Sequence, residues 1–99
     1  MSPQLNLLNK YNLLIPMRNL LLSNLSSSFE SSHELKAKIN SSAVILHLQT
    51  ILSPYQPSGF KETASFIGAV CSDLVHQGLV KHSMKICPVT NTYNDAFKI

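Results

Sequence analysis

The chain has 99 residues, 44% hydrophobic and only 13% charged. That balance fits one small domain, excludes a fully disordered chain, and leaves few charges to keep copies apart. The net charge of +3 comes from scattered lysines and a single arginine, Arg18. Nucleic-acid binders ordinarily gather Lys and Arg on one element, so the charge reads as a shortage of acids and nucleic acid is a disfavoured partner.

From Met1 to Phe29 there is no acidic residue, while Lys10 and Arg18 sit among Leu, Ser and Asn. Organellar transit peptides are acid-poor and Ser-rich but also Arg-rich, so organellar targeting is the alternative to an ordinary amphipathic helix and linker. Leu5, Leu8, Tyr11 and Ile15, with Leu7 and Leu14 beside them, have helical spacing. Pro16 is expected to end or kink that helix, with a second running from Met17 through Leu20, Leu21 and Leu25. Ser26-Ser27-Ser28 reads as a linker. The reading is one domain over 1–99, with 1–29 as a possible separate leucine- and serine-rich segment and 30–99 as the core.

Ser31 and Glu34 have the spacing of a capping box at a helix start. Leu35, Ile39, Ala43 and Leu46 then form one stripe, flanked by Val44, Leu48, Ile51 and Leu52, which predicts a helix over Ser31–Leu52, buried in its second half. Val44-Ile45-Leu46 leaves a strand over Ala43–Gln49 as the rival. Pro54 to Gly59 is a loop. Phe60, Ala64, Ile67, Cys71, Leu74 and Val75 share the face of a helix over Phe60–Gln77. Gly78 suits its left-handed terminating position, and Leu79 can pack back on the last turn.

Beyond Gly78 the pattern alternates. Leu79–His82 and Met84–Cys87 read as strand, Pro88 restricts its end to an edge, and Asn91-Thr92 suits a turn. Tyr93 to Ile99 is then a returning strand or a helical turn. The expected fold is mainly α: three or four helices with a short extended or β-hairpin C-terminal segment, Ser31–Leu52 and Phe60–Gln77 forming an antiparallel pair. Val70 to His82 also resembles the end of a winged-helix recognition helix entering its first wing strand. That resemblance implies the alternative, a winged-helix-like α+β fold, with Met84–Cys87 and Tyr93–Ile99 as wing strands and Pro88–Thr92 as the tip. Asp73 on the helix would oppose phosphate, and the usual base-reading donors are missing.

The chemistry-bearing groups are few. Cys71, His76, His82 and Cys87 follow C-x4-H-x5-H-x4-C. The residue types suit zinc, but the spacing lacks the tight cysteine pair of the usual fingers. Cys71 falls on an apolar helix face, where free Cys behaves as a small hydrophobe. Ser72, Asp73 and His76 carry the letters of a nucleophilic triad without separate elements or an oxyanion hole. His47 reads as an ordinary helix residue, and three glycines assemble no phosphate cradle. No catalytic, cofactor or metal residue is assigned, and a non-enzyme is expected. Two cysteines, no leader and no apolar run of about 18 residues suggest an intracellular, cytoplasmic protein with no transmembrane segment.

Three functions follow as expectations. The first is a protein-interaction module or subunit, docking Leu5–Leu25 on a protein partner or on itself as a homo-oligomer. The second is a winged-helix-like nucleic-acid binder. The third is the product of a recently arisen reading frame without an evolved biochemical function, because Leu and Ser, each with six codons, are the commonest residues.

Overall fold

A computed structural model describes residues 3–54 and 59–99. Among them the elements run α1 (Pro3–Lys10), α2 (Leu14–Asn24), β1 (Glu30–Ser31), α3 (Ser32–Ile39), α4 (Ala43–Leu52), α5 (Gly59–His76), β2 (Lys81–Ile86) and β3 (Tyr93–Lys98). The strands form an antiparallel sheet in the order β1-β3-β2. The fold is therefore mixed α+β and not purely a helical bundle: helices predominate and the C-terminal segment is a β-hairpin, as the sequence suggested, but a three-stranded sheet joins them.

The first helix ends at Asn12, ahead of the expected break at Pro16. Asn12 takes φ 57°, a left-handed conformation that asparagine tolerates better than most residues. The Leu13 N–H reaches the Leu8 carbonyl at 2.7 Å and the Asn12 N–H reaches Asn9 at 3.1 Å. These are the two bonds of a Schellman end. Pro16 instead lies in the first turn of α2, where the missing N–H would have had no intrahelical partner. The break also resets the apolar period. Leu13, Leu14, Met17, Leu21 and Leu25 turn inward, whereas Ile15 is 66% exposed.

The expected helix over Ser31–Leu52 is two helices. The capping box forms: Ser31 Oγ accepts from the Glu34 N–H at 3.2 Å, and Glu34 Oε1 accepts from the Ser31 N–H at 3.1 Å. At Asn40-Ser41-Ser42 the polar side chains compete with the helix, and Ser42 caps α4 by accepting from the Val44 N–H at 3.2 Å. The restart means that Ile45, Leu48 and Leu52 are buried while Leu46 and His47 face outward. The rival strand over Ala43–Gln49 is absent.

Helix α5 occupies the centre and packs against α1, α2, α3, α4 and β2. Its Ile67, Val70, Cys71 and Leu74 are fully buried. Leu8, Met17, Leu21, Leu35, Ile45 and Phe97 meet them in one cluster. Each such side chain contributes about 1.5–3 kcal/mol when fully buried. The apolar residues of the leucine-rich Leu5–Leu25 segment thus pack into this chain's own core. The expected Pro54–Gly59 loop lies largely outside the described residues.

Helix α5 terminates as its sequence indicates. Gly78 has φ 79°, its N–H reaches Val75 at 2.9 Å, and the Leu79 N–H reaches Leu74 at 3.0 Å. Leu79 nevertheless stays half exposed, and Val80 takes the buried position. Strand β1 was not anticipated: two residues are too few to show alternation. It pairs Glu30 with Phe97 and Ser31 with Ala96.

Candidate interaction surface

The β2–β3 hairpin is aligned by the pairs Lys81–Lys98, His82–Phe97, Ser83–Ala96, Met84–Asp95, Lys85–Asn94 and Ile86–Tyr93. Its loop closes through the Cys87 N–H on the Thr92 carbonyl at 2.8 Å and the Asn91 N–H on the Cys87 carbonyl at 2.7 Å. Asn91 takes φ 58°, and the Asn94 amide ties down the loop by donating to Thr90 Oγ1 and the Thr92 carbonyl.

Alternation places His82, Met84, Ile86, Tyr93, Asp95 and Phe97 on one face. Near the base this face is packed: Phe97 is buried, and the His82 ring lies tilted against it with centroids 5.5 Å apart. Toward the tip it is uncovered. Met84, Ile86 and Tyr93, with Val89 in the loop, are between 50% and 69% exposed. Single exposed apolar residues are ordinary, but here they gather on one hairpin.

The outer edge of β2 is also open. Among the described residues its sole sheet neighbour is β3. Because the Cys87 N–H points inward to Thr92, the period of two aims the backbone groups of Lys85, Ser83 and Lys81 at β3. Those of Ile86, Met84 and His82 face outward.

Between α5 and the hairpin lies a cavity of about 350 Å³ lined by Ser72, Val75, His76, His82, Asp95 and Phe97. His82 Nε2 and Asp95 Oδ1 are 2.7 Å apart. Sequence reasoning missed this pairing because it depends on the hairpin register. Ser72 shares the cavity, but its backbone N–H and that of Asp73 belong to the interior of α5, so neither can stabilise an oxyanion. Asp73 instead binds Arg18, whose Nη2 and Nε donate to Oδ2 at 2.6 and 3.1 Å, and receives a bond from Gln77 at 3.0 Å. The triad letters are therefore divided between two environments.

The Cys/His group is likewise dispersed. Cys71 is buried in the apolar core, which pushes its thiol up to about 12. Cys87 is also buried and hydrogen-bonded with Ser31 Oγ at 2.9 Å. Burial works upward on its thiol, but the hydrogen bonds from Ser31 and from the backbone at Thr90 and Val89 outweigh it and lower the pKa. His76 and His82 are exposed. Both cysteines are free thiols. Among the described residues no group of His, Cys, Asp or Glu is arranged to hold a metal ion.

Lys85 links the hairpin to α3. Its Nζ reaches Glu34 Oε1 at 3.0 Å and the Phe29 carbonyl at 3.2 Å. Burial works against ionisation of Glu34, but the Ser31 N–H and the Lys85 ammonium outweigh it and hold the carboxyl below its ordinary range. No helix among the described residues is long and apolar enough to cross a membrane. No protein-family model, curated protein or solved structure matches the chain.

Proposed function

We propose that this chain is a non-enzymatic protein-interaction module that docks through the outer half of its C-terminal hairpin. The supporting observation is the exposure of Met84, Ile86, Val89 and Tyr93 together, while the apolar side chains of Leu5–Leu25, Ile15 apart, are buried or half-buried. Covering the exposed part of each side chain is worth roughly 1 kcal/mol, which makes the hairpin the more productive docking surface. A photo-crosslinking side chain at Tyr93 should capture a polypeptide, whereas the same group at Ser41, on the exposed α3–α4 turn, should capture none. Crosslinking at Ser41 or Ile15 with none at Tyr93 would contradict the assignment.

A winged-helix-like nucleic-acid binder is the second reading. It is supported by the hairpin that follows the Gly78 helix end and by Lys81 facing Lys98 across the strands, a like-charged pair that an anion would relieve. Salt-dependent binding to duplex DNA or RNA at low ionic strength is its test, and no binding there would eliminate it.

A further inference from the structure

We propose that β2 pairs antiparallel with β2 of a second copy of this chain, Met84 facing the partner's Met84 across a two-fold axis. Two three-stranded sheets would join into one of six. The inference rests on the hairpin being the docking surface and names its partner.

The first argument is the backbone. His82, Met84 and Ile86 direct their N–H and C=O groups away from β3, and an identical antiparallel strand presents the same three residues in reverse. The second is the absence of the usual guard. Edge strands resist self-pairing by presenting charged side chains, lysine above all. Lys85 is drawn back across β3 to Glu34 and the Phe29 carbonyl, and His82 is drawn to Asp95. Lys81, at the first position of β2, is the remaining charge on the strand.

Charge then selects the register. Centring the pair on Ser83 sets Lys81 against the partner's Lys85, and centring it on Lys85 sets that lysine against its own copy; both oppose like charges. Centring it on Met84 sets Lys85 against the partner's Ser83, Lys81 against the partner's Cys87, and His82 against the partner's Ile86. In that register the outward residues of both strands find partners. The exposed Met84 and Ile86 of the two copies also become one continuous apolar stripe.

Light scattering on the full chain over a concentration series should show a reversible monomer–dimer equilibrium. Met84→Pro removes an outward N–H while leaving every β2–β3 ladder bond, and it should abolish the dimer with an unchanged circular dichroism spectrum. Met84→Lys places two ammonium groups across the axis and should do the same by a different route, which keeps the test open if the proline variant misfolds. Under mild oxidation Met84→Cys should link two chains and Ser83→Cys should not. A chain that stays monomeric throughout the series, a dimer indifferent to Met84→Lys, or linkage equally efficient at Ser83 would overturn the proposal. If the chain is monomeric and the Tyr93 crosslinker captures a different polypeptide, the docking surface stands and self-pairing falls. If the chain is monomeric and Tyr93 captures nothing, both fall.

Discussion

Ser31→Ala tests how the two halves of the chain are joined. Ser31 is fully buried and serves three elements at once: it pairs with Ala96 in the sheet, caps α3 through the Glu34 N–H, and hydrogen-bonds Cys87 at the end of the hairpin. Removing the hydroxyl costs about 1 kcal/mol as a lost N-cap. Leaving the buried Cys87 thiol without that partner adds about 1 kcal/mol more. The expected total is about 2 kcal/mol, which in a domain of this size lowers Tm by roughly 8–16 °C. Urea unfolding should show a lower midpoint with the slope unchanged, since the surface exposed on unfolding is the same. Ser42→Ala is the control: it removes a single cap bond at the start of α4 and should cost about 1 kcal/mol or less. Ser31→Ala also removes a bond that favours the Cys87 thiolate, so the Cys87 pKa in the folded protein should rise. Alkylation of this buried thiol in mild denaturant proceeds through opening and should speed up with the lost stability. If Ser31→Ala costs no more than Ser42→Ala and leaves Cys87 alkylation unchanged, Ser31 does not join the helix cap to the hairpin.

Three further outcomes follow from positions described above. Pro16→Ala should change stability by less than about 1 kcal/mol, because the proline occupies a turn where no intrahelical N–H is used; a larger loss in urea titration would mean that Pro16 shapes the α1–α2 junction. Gly78→Ala should destabilise by about 1–2 kcal/mol. No atom lies within 4 Å of an added Cβ there, so the cost is purely conformational, and Gly78→Asn should recover part of it. The lowered Glu34 pKa contributes stability that is fully present above its unfolded value near 4.5 and is lost as pH falls through the lower folded value. Wild-type stability should therefore decline with acid below about pH 4.5 more steeply than that of Glu34→Gln, and parallel acid titrations would show Glu34 to be uninvolved.

Signals confined to a few adjacent residues were legible in the sequence. The capping box at Ser31 and Glu34 and the Gly78 helix end each depend on local side-chain chemistry, and each is present; Tyr93 to Ile99 left strand and helical turn open, and it is a strand. Competition between local signals was harder to weigh. Pro16 looks like the stronger helix breaker, yet one turn of any helix accommodates proline, and Asn12 supplies the left-handed residue that ends α1. Asn40, Ser41 and Ser42 are individually compatible with a helix and divide it by acting together. Tertiary relations beyond the C-terminal hairpin itself were not legible. Whether Leu5–Leu25 covers its own chain or another depends on packing against α5, and the His82–Asp95 pair depends on strand register. The hairpin surface escaped notice for the same reason: Met84, Ile86, Val89 and Tyr93 form no periodic run until the strands are aligned.

β3 lies between β1 and β2, and the latter two do not pair with each other. It is the keystone of the sheet, and it is synthesised after both strands that it joins. On the ribosome the five helices can begin to condense as they emerge, but Glu30 and Ser31 must wait for Ala96 and Phe97 before they have strand partners. A message interrupted after Asn91 would lose one strand and leave the other two unpaired. It would also remove Phe97, one of the largest buried side chains. A stop ahead of β3 would thus yield a product exposed to proteolysis and aggregation.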